Sequence, residues 1–179
     1  MLLKKYNIIK TKLGNIYYKN VDSNSNSREF LNDILKLEYN LSDYNIIENN
    51  NGKLYLNDNR LYFNISHKKD IVGIAVSDKE IGFDIEYVKS DNIKNKSILK
   101  YYFTSDEGKY IGSSNEKLLY VWTKKESYIK MLGLRIADIK NIDISKEDVL
   151  FDTTYVDKYI MTICKRKCIS QVKVDNYLI

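Results

Sequence analysis

The 179-residue sequence has no proline, one histidine, one tryptophan and only two cysteines. Two cysteines, Cys164 and Cys168, are too few for a disulfide framework, so we expect reduced thiols and a fold that depends on its hydrophobic core. No apolar run approaches the ~18 residues of a membrane-spanning helix, which argues against a helical membrane protein. Residues 1–5 are not laid out like a secretory signal, so we expect a cytoplasmic location.

Basic residues slightly outnumber acidic ones, 29 to 24, giving a net charge of +5. With 44% hydrophobic and 30% charged residues, the composition is typical of a soluble globular protein. The modest positive charge suits a polyanionic small substrate or an acidic protein partner. It would also suit a nucleic acid, but no basic cluster is interleaved with aromatic residues, so we expect no nucleic-acid partner.

Three β-type runs follow one another in the middle of the chain, at residues 61–66, 71–77 and 81–87. Residues 78–80, Asp-Lys-Glu, form a polar break between the second and third runs. A short polar break between two strands is typical of a tight turn, so we predict that these two runs form a hairpin or a tight meander.

The third run alternates apolar and polar residues, which puts Asp84 and Glu86 on the same face of the strand, about 7 Å apart along the backbone. Their oxygens could converge on one hard cation such as a Mg²⁺ ion held together with substrate phosphates. The alternative is a solvated polar face on an edge strand. The only histidine, His67, follows the first run and could donate a charged hydrogen bond to a phosphate. A lone histidine is, however, more often structural.

Capping patterns predict two of the helices. Asn26 is followed three residues later by Glu29, and Thr104 is followed by Glu107. Capping is a sufficient explanation for Glu107, so we predict no catalytic role for it. The apolar stripe predicted for the first helix consists of Phe30, Leu31, Ile34, Leu35, Leu37 and Leu41.

A third, longer helix is predicted from the capping box of Ser113 and Glu116 to the terminating Gly133. Within it, Glu126 and Lys130 are four residues apart, in the order that favours an ion pair on one helix face. Taken alone, the pair could be a surface salt bridge that contributes a few tenths of a kcal/mol. A role in a functional site needs support from the rest of the chain.

That support comes from three motifs that occur in order: FNISH at residues 63–67, GFDIE at 82–86 and WTKKESYIK at 122–130. Together they resemble the motifs of the Sfp-type 4′-phosphopantetheinyl transferases. The resemblance implies an α+β fold of two similar halves related by a pseudo-twofold axis, with the active site between them. We assign residues 1–89 to the N-terminal half and 90–179 to the C-terminal half, with a polar connection at 90–96. Because both halves lie in one chain, we expect a monomer.

The resemblance also implies a reaction: a Mg²⁺-dependent transfer, with Mn²⁺ as a substitute, of the phosphopantetheine arm of coenzyme A to a serine of an apo acyl or peptidyl carrier protein. The second product is 3′,5′-ADP. Asp84, Glu86 and Glu126 match the metal-binding positions. Glu126, Lys130 and His67 match the catalytic positions, with Glu126 as the base and Lys130 on the phosphate. The residues matched to coenzyme A binding are Lys53, Asn64, Ser66, His67 and Lys130.

Two positions depart from the family pattern. Gly52-Lys53 is followed by Leu54 where the family has proline, and Arg135 replaces the second glycine of a G-x-G-L segment. A degenerate homologue that binds coenzyme A without turnover is therefore the alternative to an active transferase. All three acidic positions are retained, which favours the active enzyme.

Overall fold

The computed structural model describes residues 5–21, 26–88 and 101–167. These ranges form an α+β architecture, as predicted. The strands are β1 (Asn7–Lys10), β2 (Asn15–Asn20), β3 (Ile46–Glu48), β4 (Leu54–Leu56), β5 (Tyr62–Lys68), β6 (Ile71–Ser77), β7 (Ile81–Tyr87), β8 (Val149–Val156) and β9 (Tyr159–Arg166). The helices are α1 (Ser27–Tyr39), α2 (Ser105–Ile111) and α3 (Asn115–Leu132), followed by a 3₁₀ helix, Ile136–Asn141.

The strands form three antiparallel sheets. A four-stranded sheet has the order β1-β2-β6-β5, a three-stranded sheet has the order β7-β9-β8, and β3 pairs with β4 alone. The prediction that β6 and β7 form a hairpin or a tight meander is wrong. Both edges of β6 are already occupied by β2 and β5, so β7 pairs with β9 instead, with Asp84 opposite Thr162. Residues 78–80 therefore carry the chain from one sheet to the next.

The apolar residues of β7 pack between the four-stranded and three-stranded sheets. Ile81, Phe83 and Ile85 share a core cluster with Ile16 of β2 and Met161 of β9. This packing fixes one face of β7 inward and turns its polar face toward α3.

Helix α1 covers the other face of the four-stranded sheet. Its buried residues are Phe30, Leu31, Ile34 and Leu35, as the apolar stripe predicted. Leu37 was included in that stripe, but it is 50% exposed. At 100° per residue it lies about 90° from the centre of the buried arc, at the edge of the helix face that meets the sheet.

Helix α3 packs closely against β7. A Cβ atom at Gly82 would lie 1.8 Å from the carbonyl oxygen of Ser127, so only glycine permits this approach. The helix ends at Gly133 in the left-handed region, as predicted. Its N-cap is Ser114, which accepts a hydrogen bond from Lys117, rather than the predicted Ser113.

The capping predictions for α1 and α2 are confirmed. Asn26 accepts from the backbone of Arg28, and Thr104 and Glu107 form a reciprocal capping box. None of the helices in the described ranges is long and apolar enough to cross a bilayer. The predicted connection at 90–96 lies outside the described residues, so the division into two related halves stays a prediction.

Candidate active site

Strands β5 and β7 belong to different sheets, yet they lie side by side. Polar side chains of β5 join them: Asn64 Oδ1 accepts a hydrogen bond from the Phe83 amide at 3.2 Å, and Ser66 Oγ accepts from the Ile85 amide at 3.3 Å. These bonds satisfy backbone donors of β7 that face β5. The first two motifs are therefore held together by their own polar residues, a structural role for Asn64 and Ser66 that the motifs alone did not indicate.

The polar face of β7 is buried beneath α3. Asp84 is 2% and Glu86 is 8% exposed, so the alternative of a solvated edge-strand face is wrong. Helix α3 places Glu126 and Lys130, one turn apart, over these carboxylates. The site is thus built from three elements: β5, β7 and α3.

Lys130 contacts all three elements. Its Nζ lies 2.5 Å from Asp84 Oδ1, donates to Ser66 Oγ at 3.0 Å and lies 3.6 Å from Glu126 Oε2. Asp84 is almost fully buried, and the side chains of Glu126 and Lys130 are only 15% and 29% exposed. The pair predicted from its i,i+4 spacing is therefore not a surface salt bridge but part of a buried charge cluster.

The cluster contains more acid than base. Glu126 is repelled by the negative charges of Asp84 and Glu86. Glu86 also forms an ion pair with Lys68, whose Nζ lies 2.7 Å from Glu86 Oε2. Burial, and after it the charge of Asp84, raise the pKa of Glu126 to about 8, although Lys130 opposes the shift. Burial alone would lower the pKa of Lys130, but Asp84 and Glu126 raise it above its usual value.

The three carboxylates supply the oxygen ligands that a divalent cation such as Mg²⁺ prefers. Asp84 Oδ2 is buried and has no hydrogen-bond partner, which is consistent with a ligand atom. Nevertheless, among the described residues no group of three or more His, Cys, Asp or Glu side chains is arranged to hold a metal. The ammonium group of Lys130 is in contact with both Asp84 and Glu126. The metal-binding roles of Asp84, Glu86 and Glu126 remain a prediction.

A cavity of about 300 Å³ lies next to this cluster. Its lining comes from the start of α1, the β3–β4 turn, β5 and the end of α3. The lining residues are Ser27, Asn51, Gly52, Lys53, Leu54, Phe63, Asn64, Ile65, His67, Lys130, Gly133 and Leu134. Four of the five residues matched to coenzyme A binding therefore line one cavity. The fifth, Ser66, is buried beside it and bonded to Lys130 and Asp84.

His67 and Lys53 differ in how accessible they are to a ligand. His67 is exposed at the end of β5. Lys53 donates to the carbonyl of Met131 at the end of α3 and lies 3.4 Å from Glu80. Burial lowers the pKa of Lys53, and Glu80 opposes that shift. Lys53 thus caps a helix as well as lining the cavity, a contact across 78 residues of sequence that local patterns could not predict.

Comparison with known proteins identifies the family of the chain. Residues 80–177, more than half of the chain, match the 4′-phosphopantetheinyl transferase superfamily. The chain therefore belongs to this superfamily, and the resemblance based on three motifs is confirmed.

Among curated relatives, the chain is 33% identical over 118 residues to "4′-phosphopantetheinyl transferase gsp" of Aneurinibacillus migulanus, covering 59% of this chain and 48% of that protein. It is 31% identical over 126 residues to "4′-phosphopantetheinyl transferase HetI" of Nostoc sp., covering 65% and 53%. A "4′-phosphopantetheinyl transferase" of Bacillus subtilis is 35% identical over 78 residues, covering 41% and 34%. The chain spans about half the length of the first two of these relatives.

Proposed function

We propose that the protein transfers the 4′-phosphopantetheine group of coenzyme A to a serine hydroxyl of an apo acyl or peptidyl carrier protein and releases 3′,5′-ADP. The observation that carries this proposal is the set of contacts made by Lys130. One ammonium group joins Ser66 of the first motif, Asp84 of the second and Glu126 of the third, beside a cavity lined by His67. Membership of the superfamily, and the names of the relatives, support the same reaction.

The reaction is an attack of the serine oxygen on a phosphorus of the pyrophosphate link in coenzyme A. A new P–O bond forms to serine, and the bridging P–O bond breaks, so that 3′,5′-ADP leaves with the bridging oxygen. Such reactions depend on positioning and on neutralising phosphate charge. Lys130 and His67 would donate hydrogen bonds to phosphate oxygens, and Glu126 would accept the proton that serine loses.

Asp84, Glu86 and Glu126 would hold Mg²⁺, or Mn²⁺ in its place. When bound, the ion would neutralise negative charge on the pyrophosphate and its leaving group. The buried, unpartnered Asp84 Oδ2 and the excess of carboxylates in the cluster support this assignment. Lys130 neutralises the same carboxylates in the structure described here. With a cation bound, its ammonium group would be available to a phosphate oxygen.

The proposal extends to assembly and location. If the site lies between two halves of one chain, the protein should work as a monomer, and light scattering together with activity on dilution would test this. An obligate trimer that loses activity on dilution would contradict it. The buried free thiol of Cys164 and a substrate that is itself a thiol fit the reducing conditions of the cytoplasm.

The decisive experiment is incubation of the protein with coenzyme A, Mg²⁺ and a panel of apo carrier proteins, followed by intact-mass measurement. We expect at least one carrier to gain the mass of one phosphopantetheine group. Calorimetric binding of coenzyme A without any mass gain would instead support the degenerate homologue. If the protein neither binds coenzyme A nor modifies a carrier, both functions are wrong.

A further inference from the structure

One of the two departures from the family pattern, Arg135, contacts the turn that precedes the other, Leu54. Arg135, which replaces the second glycine, donates from Nε to Asn51 Oδ1 at 3.0 Å. Asn51 belongs to the turn that leads into Lys53-Leu54, where the family has Lys-Pro. The Asn51 side chain also donates from Nδ2 to the carbonyl of Gly133 at 2.7 Å. Its amide group therefore bridges Arg135 and the end of α3.

Further hydrogen bonds shape each side of this contact. Asn49 Oδ1 accepts from the amides of Asn51 and Lys53, both at 2.9 Å, and so fixes the β3–β4 turn. On the other side, the backbone amide of Arg135 donates to Asp138 Oδ2 at 3.0 Å. We call the contact between Asn51, Gly133 and Arg135 the latch.

Close packing at the latch requires Gly133. Its φ of +67° favours glycine, and a Cβ atom there would lie 2.7 Å from Asn49 Nδ2. The turn and the end of α3 are therefore held together by side-chain hydrogen bonds across a tight backbone approach. In the family pattern, a proline and a second glycine stand in the same two segments: proline fixes its own φ, whereas glycine leaves the backbone free.

The latch forms one wall of the cavity beside the charge cluster. Asn51, Gly133 and Leu134 line that cavity, and Lys130 lies one turn before Gly133. A shift of the turn relative to α3 would therefore change the shape of the cavity without removing any group from the charge cluster.

We infer that Arg135 is a positioning residue for the coenzyme A bound in this cavity, acting through Asn51 rather than by touching the reacting phosphates. The inference rests on the proposed function. Because Arg135 is exposed and its side chain bonds to Asn51 rather than to the charge cluster, its loss should weaken binding of coenzyme A and leave the chemical step unchanged. Side-chain hydrogen bonding would thus hold the turn where the family pattern has the fixed φ of a proline.

The test compares Arg135→Met with Arg135→Gln, which keeps a donor for Asn51, and with Arg60→Met. Arg60 is a matched control because it is also exposed and donates hydrogen bonds to the Asp58 carboxylate and the Asp43 carbonyl, but does not line the cavity. We expect Arg135→Met to raise the dissociation constant of coenzyme A about three- to tenfold, the effect of one lost hydrogen bond. The kcat at saturating coenzyme A should stay within about twofold of wild type.

Amide hydrogen exchange gives a second readout that needs no ligand. Peptides spanning residues 49–54 and 130–136 should exchange faster in Arg135→Met and at the wild-type rate in Arg135→Gln and Arg60→Met. In addition, Asn51→Ala combined with Arg135→Met should weaken coenzyme A binding no more than Asn51→Ala alone, since both act through one contact.

The outcomes separate this inference from the proposed function. If wild type and Arg135→Met bind coenzyme A equally and exchange equally, the inference is wrong and the proposed function stands. If wild type binds no coenzyme A, the proposed function and the inference fall together. A lower kcat with unchanged coenzyme A affinity in Arg135→Met would also contradict the inference, because it would link Arg135 to the chemical step.

Discussion

Two lysines of α3, five residues apart in the third motif, form ion pairs with very different surroundings. The side chain of Lys125 is 0% exposed, and its Nζ lies 2.7 Å from Glu107 Oε2. That of Lys130 is 29% exposed and lines the cavity, with Nζ 2.5 Å from Asp84. Lysines on one helix thus form a fully buried ion pair at one position and a partly exposed ion pair beside a cavity at the other.

The partners explain the difference. Glu107 Oε2 also accepts from the Thr104 amide at 2.8 Å, so Lys125 extends the cap of α2 and ties that helix to α3. Each pair leaves one buried carboxylate oxygen without a partner, and these are the two such side-chain atoms in the described ranges. An unpartnered oxygen therefore does not by itself identify a cation site. What distinguishes Asp84 is the presence of two further carboxylates, Glu126 and Glu86, in the same charge cluster.

The largest effect is expected for Asp84→Ala, which should abolish transfer while the protein stays folded. Asp84 is the common partner of Lys130 and Ser66, and its loss leaves Lys130 with Glu126 and takes little apolar packing with it. Transfer should be measured by intact mass and folding by thermal melting. Wild-type transfer by the variant with Mg²⁺ present would contradict the assignment of Asp84.

Metal removal should also stop transfer by the wild type. We expect EDTA to abolish activity and either Mg²⁺ or Mn²⁺ to restore it, because Asp84, Glu86 and Glu126 offer only oxygen ligands. EDTA should not disrupt the Lys125–Glu107 pair. The melting temperature in EDTA therefore serves as the control that lost activity does not reflect unfolding. Full activity in excess EDTA would remove the metal from the mechanism.

Breaking the buried ion pair of Lys125 and Glu107 should instead lower the stability of the protein. Lys125→Met leaves Glu107 buried without its countercharge, which typically costs about 3–5 kcal/mol of folding free energy. A second change, Glu107→Gln, should recover part of that loss because the buried charge is gone and an acceptor for Thr104 remains. Urea unfolding measures both effects. We expect transfer per folded molecule to stay near wild type, and a selective loss of rate would show that Lys125 also serves the site.

Changes at Glu126 and Lys130 should slow transfer far more than changes at Lys125 do. Glu126→Gln and Lys130→Met each remove charge stabilisation from phosphoryl transfer, a loss of ~2–4 kcal/mol or about 10²–10³ in kcat. Lys130→Met should also lower the melting temperature, because Asp84 is 2% exposed and loses its countercharge, so transfer must be expressed per folded molecule. The double variant should be less impaired than the product of the single effects, because in the proposed mechanism both groups contribute to one transition state. Simple multiplication of the two effects would argue for separate roles.

Much of the site was predictable because its residues lie in short local patterns. Alternation along β7 put Asp84 and Glu86 on one face, and helical spacing put Glu126 and Lys130 together. The three motifs then identified the family, which the comparison confirms. Capping rules located the starts of α1 and α2 because a cap depends on only a few neighbouring residues.

The features that the sequence did not predict are contacts between residues far apart in the chain. The β6–β7 hairpin was a local expectation, but β7 pairs with β9, more than 70 residues later, because β6 has no free edge. Glu107 was explained by its cap alone, and its pair with Lys125 spans 18 residues. Arg135 and Asn51 are 84 residues apart. No periodicity in one sequence encodes such pairings.

The most direct measurement compares single-turnover transfer to an apo carrier protein by Lys130→Met and by the combined Lys125→Met, Glu107→Gln variant, each corrected for its folded fraction. We predict that Lys130→Met is about 10²–10³ slower than wild type and that the combined variant transfers at a rate close to wild type. Equal rates for the two variants, or a slower rate for the combined one, would contradict the assignment of Lys130 to the phosphate and of Lys125 to the fold.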